Sequence, residues 1–558
     1  MQKRTSLISA LVLSLLSSAA YAAPVAPDAG ATSRELEKQP MPNAPKAVAP
    51  LRSEEAVAAQ PAAADDIKIT VKAIRITGNS LFATAELEAL VANLLGGEHT
   101  FAELDAGAAR ISAYYRERGY VVARAYLPAQ DIKDGIVAIN VMEGIIGQLN
   151  INNQSRVSDK AANSHLSKVQ SGVALQGKRV DRAILLLNDT AGVGGARASL
   201  QPGASVGTSD LLIELDPSKA YSGSIEADNY GNRYTGENRL GAALALNSPL
   251  KIGDQLTLRA LGSNGGMSYT RLAYQLPIGG DGLKLGAAYS DTRYKLIQEF
   301  ASLQAHGTAT SSSLYATYPV VRSQFTNLST TLTYESKKLA DYTDVPVSTV
   351  DKQVQLANLG LAGNNQDMLM GGGMSSFDLS LVTGKLGMDA TSLATDATTA
   401  NSDGSFTKLD YNLSRLQHLS DKNTLSVALS GQQANKNLNS SEKFSLGGAT
   451  GVRAYPQGEG SGDQGWMANV EVRRALRDNL QGVVFYDAGA VITNRNAYAA
   501  TVNNRDIAGA GLGVNAQYKA MQLKTYVAWQ TGAGGQAQSE PATITRNLRL
   551  WVQMSAAF

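Results

Sequence analysis

The spacing of hydrophobic positions changes along the chain and divides it into regions of different predicted structure. Between residues 67 and 216, stretches that alternate with period two are interspersed with stretches whose apolar positions recur every three or four residues. This mixture predicts strands and helices. From about residue 219 to the end, only short period-two stretches recur, separated by Gly, Asn, Asp and Ser. That second region predicts many strands and no helix.

The α+β region contains two units with the same predicted order, β-α-α-β-β. The first unit covers residues 67–144, and the second, weaker copy covers residues 145–217. Each unit is long enough to form a small domain. In the first unit the predicted helices and the later strands lie at 84–95, 101–118, 121–127 and 136–142. In the second unit the predicted elements lie at 145–151, 159–169, 179–187, 196–200 and 210–215.

Residues 218–558 predict an antiparallel β-barrel. At roughly 20 residues per strand and loop, this length gives about 16 strands. The last strand has the clearest alternation, with Arg549, Gln553 and Ser555 on one face and Trp551 as an apolar exception among them. The opposite face consists of Leu548, Leu550, Val552, Met554, Ala556 and Phe558.

The N-terminus predicts export from the cytoplasm. Lys3 and Arg4 precede a short apolar run, and Ala20-Tyr21-Ala22 has the pattern of a signal-peptidase site, so residues 1–22 are predicted to be a signal peptide. The alternative, a membrane anchor, is disfavoured because the run is shorter than the roughly 20 residues that a spanning helix needs. An exported chain that spans a membrane with strands must close them into a barrel, since lipid offers no partner to a strand edge.

Residues 23–66 separate this peptide from the α+β units. They contain 7 of the 16 prolines and 13 alanines, which is typical of an extended linker. Within the linker, residues 33–38 have the composition of one or two helical turns. Two interpretations stay open from sequence alone: a solvated linker, or part of a helix that plugs the pore of the barrel.

Composition limits the chemistry that the chain can perform. The formal net charge is +2, and it falls to zero without residues 1–22, because Lys3 and Arg4 are removed. We therefore expect no attraction to nucleic acid. There is no cysteine, and His99, His165, His306 and His418 are not spaced as metal ligands. The sequence predicts no catalytic, cofactor-binding or metal-binding residue and no enzyme activity.

Three motifs carry a resemblance to a known family. The first is the stretch 119–130, which begins Gly-Tyr and ends Pro-Ala-Gln, followed by Glu143-Gly144. The second is Val452-Arg453-Ala454-Tyr455, and the third is Phe485-Tyr486-Asp487-Ala488-Gly489. The first resembles the first POTRA domain of two-partner secretion transporters. The other two resemble that family's Val-Arg-Gly-Tyr/Phe loop motif, with Ala454 in place of Gly, and its Phe-x-Asp-x-Gly strand motif.

The resemblance implies a specific arrangement of residues. Two periplasmic POTRA domains would precede a 16-stranded outer-membrane barrel, and a long extracellular loop would fold back into the pore. There Arg453 would pair with Asp487, with Val452, Tyr455, Phe485 and Gly489 completing the two motifs. Such a pairing is physically reasonable, since a carboxylate accepts the planar guanidinium fork through two hydrogen bonds. Phe558 would be the C-terminal signal that the barrel-assembly machinery reads.

The function implied is the export of a large, unfolded exoprotein, which the POTRA domains would recognise through its N-terminal secretion domain. Its partners would be that exoprotein, the lipid of the outer membrane and the barrel-assembly machinery. A barrel-assembly or insertion factor of the same superfamily and a passive porin are the alternatives. The sequence leaves open which exoprotein is exported: a haemolysin, an adhesin, a haem-binding protein and a contact-dependent toxin are all compatible.

Overall fold

The computed structural model describes residues 26–37, 52–53 and 68–558, apart from Lys133 and Thr501. The predicted signal peptide and most of the predicted linker lie outside the described residues. Two short elements come first: helix α1 (Ala29–Glu37) and strand β1 (Arg52–Ser53). Two small α/β domains follow, and then a barrel. None of the helices in the described part of the chain is long and apolar enough to cross a membrane.

The first domain packs two helices against a three-stranded sheet of order β3-β6-β5. Helix α3 starts at a capping box, in which Thr100 and Glu103 each bond the backbone of the other, and it buries the apolar face that the sequence predicts. The elements are β2 (Lys68–Thr70), β3 (Ala73–Thr77), α2 (Thr84–Val91), β4 (Glu98–Thr100), α3 (Phe101–Glu117), β5 (Arg124–Tyr126) and β6 (Ile136–Met142).

Strand β5 is shorter than the prediction of 121–127. Ala123 N donates to Tyr120 O at 3.2 Å, so the residues before the strand form a turn. The turn ends the helix α3 region and brings the chain back to the sheet. A period-two pattern of apolar residues does not distinguish such a tight turn from the strand that follows it.

The second domain has a sheet of order β1-β8-β9-β7, so the linker strand β1 forms one edge. Strand β1 pairs in parallel with β8 at two positions only, Arg52 with Ser199 and Ser53 with Leu200. The remaining elements are β7 (Ile145–Asn153), α4 (Asp159–Ser164), α5 (Gly177–Asn188), β8 (Ala196–Pro202) and β9 (Thr208–Leu215).

Sixteen antiparallel strands close into the barrel, as predicted. The first eight are β10 (Tyr221–Asp228), β11 (Arg239–Asn247), β12 (Gln255–Ser263), β13 (Ser268–Ile278), β14 (Leu283–Lys295), β15 (His306–Arg322), β16 (Thr326–Asp344) and β17 (Val347–Asp367). The next three are β18 (Gly373–Met388), β19 (Gly404–Ser420) and β20 (Asn423–Ala434). The last five are β23 (Gln464–Arg477), β24 (Leu480–Ile492), β25 (Asn504–Tyr518), β26 (Met521–Thr531) and β27 (Leu548–Ala557).

The predicted absence of helices after residue 219 is wrong at one place. Helix α6 (Ala390–Ala397) lies in the connection between β18 and β19. Asp389 caps it by accepting hydrogen bonds from the backbone of Thr391 and Ser392 at 3.0 and 2.9 Å. The helix has only eight residues and no long apolar face, so the spacing of hydrophobic residues gives little sign of it.

The two faces of the barrel wall differ as the alternation predicts. On β27, Leu548 and Leu550 are at least half exposed and point outward, whereas Arg549 and Trp551 are buried in the lumen. One end of the barrel, here called the proximal end, has short turns and faces the second domain. The distal end has the longer connections. The seam between β10 and β27 pairs only five residues of each strand, from Ser224 to Asp228 on β10.

The second domain contacts the proximal turns directly. Arg322 donates from Nε and Nη2 to the two carboxylate oxygens of Asp189, at 2.6 and 2.9 Å. His165 Nδ1 lies 2.9 Å from the carbonyl oxygen of Gly280. Burial lowers the pKa of His165, so the ring is neutral at neutral pH and donates this hydrogen bond. These contacts fix the second domain beneath strands β13 to β16.

Candidate functional site

The connection between β20 and β23, residues 435–463, folds back into the barrel and is here called the inner loop. It carries the short antiparallel pair β21 (Phe444–Ser445) and β22 (Ser461–Gly462). Its apolar side chains are buried against the barrel wall, whereas those of a loop on the outside of the barrel would be exposed to water. The buried loop residues are Leu446, Val452, Ala454 and Tyr455, and the wall residues include Val483, Phe485, Ile507 and Ala528.

Arg453, at the tip of this loop, binds Asp487 on β24. Its Nε donates to Asp487 Oδ2 at 2.8 Å and its Nη2 donates to Oδ1 at 2.7 Å. The backbone N–H of Arg453 also donates to Oδ2, at 3.1 Å. Arg453 is 4% exposed and Asp487 is 0% exposed. The structure therefore brings together the two charged residues that the sequence motifs single out, in a bidentate pair inside the lumen.

Neighbouring residues form further hydrogen bonds with the two side chains of this pair. Arg453 Nη1 donates to Glu471 Oε1 at 2.6 Å, and Asn469 donates to Asp487 Oδ1 at 2.8 Å. The guanidinium lies over the ring of Phe485, with its carbon 3.4 Å from the ring centroid. A buried charge is tolerated only when it is paired and fully hydrogen bonded, and this one is. The Phe of the Phe-x-Asp-x-Gly motif thus provides the aromatic face on which Arg453 stacks.

The glycines of the wall make room for the loop and for the aromatic ring. A Cβ atom on Gly489 would lie 2.7 Å from the Leu446 side chain, and one on Gly511 would lie 2.1 Å from the Phe485 ring. A Cβ on Gly509 would lie 2.3 Å from the Ala454 methyl group. Ala454 is not among the residues with positive φ. The alanine in place of the family glycine is accommodated because the opposing strand has a glycine.

Two further contacts bind the inner loop to the last part of the barrel. Trp551 Nε1 donates to the Arg453 carbonyl oxygen at 2.7 Å, and the Tyr455 hydroxyl donates to Gly535 O at 3.0 Å. Trp551, an apolar residue on the polar face of the last strand, thus donates a hydrogen bond to the backbone of the motif arginine. Phe558 lies outside this site. Its backbone pairs with Gly223 across the seam, and a Cβ on Gly223 would lie 2.5 Å from its ring.

A second buried ion pair in the inner loop is not apparent from the sequence. Glu459, which is 0% exposed, accepts from Arg505 Nε and Nη2 at 2.9 and 2.7 Å. It also accepts from the backbone of Gln538 and Ser539 at 3.0 and 2.8 Å. This pair joins the inner loop to β25 and to the connection before β27. Glu459 stands between two glycines, in a stretch whose composition is typical of an exposed loop. The sequence therefore gives no sign that Glu459 is buried and paired with Arg505.

Helix α1 lies in the lumen, between the inner loop and the wall formed by β14 to β16. Leu36 is buried in an apolar cluster that also contains wall residues, and it lines one cavity together with Tyr269 and Ala288. A Cβ atom on Gly30 would lie 2.6 Å from the Ser440 hydroxyl, so helix and inner loop touch closely. The lumen is therefore occupied twice, once by this helix and once by the inner loop.

Polar groups at both ends hold α1 in place. At its start, the Ala29 N–H donates to Asp341 Oδ1 at 2.7 Å and Ser440 Oγ donates to Asp28 Oδ2 at 2.6 Å. At its end, Lys337 Nζ lies 3.5 Å from Glu37 Oε2 and 3.2 Å from Glu442 Oε1. Most of the contacts that hold the helix are polar, and its apolar contribution is small. Polar contacts of this kind can be exchanged for water or for another chain.

The motif of the first domain is structural. Gln130 pairs with both backbone groups of Ala138, accepting at 2.7 Å and donating at 2.9 Å. The Glu143 carboxylate accepts from the backbone N–H groups of Ser80 and Leu81 at 2.6 and 2.8 Å and from the Tyr115 hydroxyl at 2.8 Å. Gln130 thus ties the segment after β5 to strand β6, and Glu143 ties the end of the sheet to helix α3 and to the turn before α2.

The site as a whole is a lumen that helix α1 and the inner loop occupy together. Among the described residues no group of three or more His, Cys, Asp or Glu side chains is placed to hold a metal ion. The arrangement joins a lumenal helix, an inserted loop and the barrel wall through buried ion pairs. Such an assembly can block or open a passage, and its charged groups are engaged with one another.

Comparisons with known proteins agree with this architecture. Residues 207–516 match the sequence model of the family described as haemolysin secretion/activation protein ShlB/FhaC/HecB, and residues 69–144 match the ShlB-type POTRA domain. The heme/hemopexin transporter protein HuxB of Haemophilus influenzae (strain 86-028NP) is 31% identical over 529 residues, 92% of this chain and 93% of that protein.

Two further matches extend over most of the chain. The outer membrane transporter CdiB of Dickeya dadantii (strain 3937) is 23% identical over 474 residues, 82% of each chain. Among solved structures, CdiB from Escherichia coli superposes with a TM-score of 0.72, covering 99% of this chain and 98% of that one, at 19% sequence identity. At this identity the structural match concerns the fold alone.

Proposed function

The chain belongs to the haemolysin secretion/activation family of two-partner secretion transporters, and on this premise we propose how it recognises and exports its partner. It is an outer-membrane protein whose barrel spans the membrane and whose POTRA domains lie in the periplasm. The proximal end of the barrel is thus the periplasmic end. The alternatives, a barrel-assembly factor and a passive porin, belong to other families.

The partner is a large exoprotein that reaches the periplasm unfolded. We expect its N-terminal secretion domain to bind the POTRA domains by adding a strand to an exposed sheet edge, since edge strands present unpaired backbone groups. Strand β8, which lies next to β1, is seven residues long, and β1 pairs with it at only two of them. An exoprotein strand would compete with β1 for this edge. Displacing β1 would also free the linker that leads to helix α1.

The observation that carries the proposal is the position of helix α1 in a polar lumen, held mainly by hydrogen bonds and ion pairs. Export requires this helix to leave the pore. Folding of the exoprotein outside the cell would then give the movement its direction.

The inner loop has a different role in this scheme. Arg453 and Asp487 are buried within the wall, and their pairing keeps the loop folded against β24. We assign to this pair the maintenance of an export-competent barrel. Val452, Tyr455, Phe485 and Gly489 shape the seat of the pair, and Phe558 is the C-terminal signal for the assembly machinery. We expect no catalysis.

The relatives suggest where to look for the exoprotein. The relative that is 31% identical along 92% of this chain is named a heme/hemopexin transporter. This makes a haem- or hemopexin-binding exoprotein the first candidate, ahead of a haemolysin, an adhesin or a contact-dependent toxin.

Quantitative proteomics of the culture medium and the outer membrane, with and without this gene, tests the proposal. We expect one or two large proteins to disappear from the medium while the other barrels keep their abundance. A general decrease of other barrels would instead indicate an assembly factor. No change in either fraction would favour a porin. Complementation with the intact gene is the control.

A further inference from the structure

A chamber of about 740 Å³ lies where the second POTRA domain meets the proximal end of the barrel. On one side it is bounded by the end of helix α5 and the residues after it, and on the other by the proximal ends of the barrel strands. It lies on the path from the periplasm into the lumen. Much of its polar lining consists of uncharged amides: Asn188, Asn247, Gln255, Gln275, Asn327 and Asn364.

Two of the cations in this lining, Arg322 and Lys284, are engaged by the second domain, and a third, Lys219, is exposed. Arg322 forms the bidentate pair with Asp189, and Lys284 Nζ donates to the Asp189 carbonyl oxygen at 2.9 Å. A charge that is already paired attracts little from a passing chain. The polar groups left to face the chamber are Lys219 and a larger number of neutral amide and hydroxyl side chains.

Three of the amides form a continuous arc across neighbouring strands, here called the amide arc: Asn247, Gln255 and Gln275. They are cross-strand partners, since Asn247 pairs with Gln255 and Gln255 pairs with Gln275. Gln275 Nε2 donates to Gln255 Oε1 at 3.2 Å, and Gln255 Nε2 donates to Asn247 Oδ1 at 3.0 Å. All three side chains are half-buried.

The arc keeps free hydrogen-bonding capacity. An amide side chain has two N–H donors and one carbonyl acceptor. Among the described residues, one N–H of Gln255 and the carbonyl oxygen of Gln275 have no partner. Each is held in place by its neighbour, so the free groups are oriented beside the chamber.

The matching ligand is the backbone of an extended polypeptide, which carries one donor and one acceptor per residue. A chain entering the lumen loses hydrogen bonds to water, and an unpaired peptide group in such a place is unfavourable. Charged wall residues would hold oppositely charged segments and repel others. Neutral amides bind any sequence equally and weakly.

We propose that the amide arc binds the main chain of the exported polypeptide as it passes from the POTRA domains into the pore, independently of its sequence. The inference rests on the proposed export function and adds a named contact surface to it. The arc replaces water at the point where the unfolded chain leaves the periplasm, and it lowers the barrier to passage.

Export kinetics of the exoprotein identified by proteomics test the inference. With Gln255→Leu and Gln275→Leu together, the rate of appearance in the medium should fall about tenfold, since two hydrogen-bonding groups are lost. Gln255→Asn with Gln275→Asn keeps the amides and should retain at least half of the rate. Gln481→Leu on β24, an amide to leucine change outside the chamber, is the matched control for the single Gln255→Leu variant and should export normally.

A photo-crosslinking amino acid at position 275 supplies a readout that barrel damage would not mimic. An exoprotein with a stably folded domain fused to its C-terminus stalls in the pore and should crosslink there, and the same probe at position 481 should give little product. Wild-type export rates in the double leucine variant, or equal damage from Gln481→Leu, would overturn the amide arc and leave the transporter function standing. If deletion of the gene removes no protein from the medium, the transporter function itself fails and the inference with it.

Discussion

Trp551 on the last strand donates its indole N–H to the backbone carbonyl of Arg453, at 2.7 Å, inside the barrel. The same arginine binds Asp487 on β24 through its guanidinium. The tip of the inner loop is therefore held from two sides of the lumen, and one of them is the strand that closes the seam. Tyr230, which follows β10, packs edge-on against Trp551 with ring centroids 5.8 Å apart, so the contact joins both strands of the seam.

Changing Trp551 to Phe should remove the hydrogen bond to Arg453 but keep an aromatic ring at this position. The ring that packs on Tyr230 is kept, but the donor to Arg453 is lost, and a single neutral hydrogen bond corresponds to a roughly two- to tenfold effect. We expect export of the partner to fall by that factor, measured as the rate of its appearance in the medium. Trp529→Phe, on the outer face of β26, is the matched control and should export at the wild-type rate.

Replacing Arg453 or Asp487 by Ala should abolish most export while the barrel stays in the outer membrane. Arg453→Ala leaves Asp487 as an unpaired buried charge, which is unfavourable by about 3–5 kcal/mol. Asp487→Ala removes the bidentate partner and leaves Arg453 with Glu471 as its ionic partner. Arg453→Lys keeps the charge but not the planar fork, so an intermediate rate is expected. The Arg453→Ala/Asp487→Ala double variant removes both charges and should restore barrel stability in urea, but not export. Near-normal export from either single variant would refute the role of the pair.

A disulfide between helix α1 and the inner loop should stop export reversibly. Asp28 and Ser440 are in hydrogen-bond contact, and the chain has no cysteine of its own. Asp28→Cys with Ser440→Cys places two thiols within reach of a bond. We expect export to cease under oxidising conditions and to return after reduction, with each single cysteine variant insensitive to both treatments. Export that continues with the bond formed would show that the helix does not need to leave.

The sequence predicts the barrel and the two α/β units because their patterns are regular over long stretches. It also singles out Arg453 and Asp487, since both stand in recognisable motifs. Glu459 is different: it lies in a glycine-rich run, and its burial depends on a partner, Arg505, that is distant in sequence. The amide arc is equally hidden, because three amides on three strands become neighbours only through the register of the sheet.

Helix α1 illustrates a second limit. Its sequence has few apolar residues and resembles a solvated linker, which was one of two open interpretations. In the structure Glu37 at its end lies near Lys337, and Asp28 just before its start lies near Lys352, so ion pairs compensate part of its burial. Periodicity of hydrophobic residues reports apolar burial only. An element buried through polar contacts leaves no such pattern.

Deletion of residues 67–144 should abolish export by removing the first POTRA domain. The barrel and the second domain remain, and their mutual contacts, such as Arg322 with Asp189, do not involve the deleted residues. We expect the shortened protein to reach the outer membrane, which heat-dependent gel mobility of the folded barrel would show, while the exoprotein accumulates in the periplasm or is degraded. Export retained by this variant would refute recognition by the first domain.

Glu143 offers a milder test of the same domain, through pH. Burial acts to raise the pKa of its carboxyl, but hydrogen bonds from Ser80, Leu81 and Tyr115 outweigh it, so the pKa lies below its ordinary value of 4.5. A lowered pKa in the folded state means that the carboxylate stabilises the domain above about pH 4.5 and that this stabilisation is lost as the pH falls through the folded pKa.

Glu143→Gln should remove this stabilisation at neutral pH. An amide cannot accept from four donors as the carboxylate does, and we expect the free energy of unfolding of the first domain to fall by about 1–2 kcal/mol. Hydrogen exchange of helices α2 and α3 in the full-length protein measures the change. At pH 7 the variant should exchange faster than the wild type, and the difference should shrink as the pH falls through the folded pKa of Glu143, below 4.5. Glu117→Gln, at an exposed position on α3, should exchange like the wild type throughout. A difference between Glu143→Gln and wild type that does not shrink while the domain stays folded at acidic pH would mean that the charge of Glu143 is not what holds the domain together.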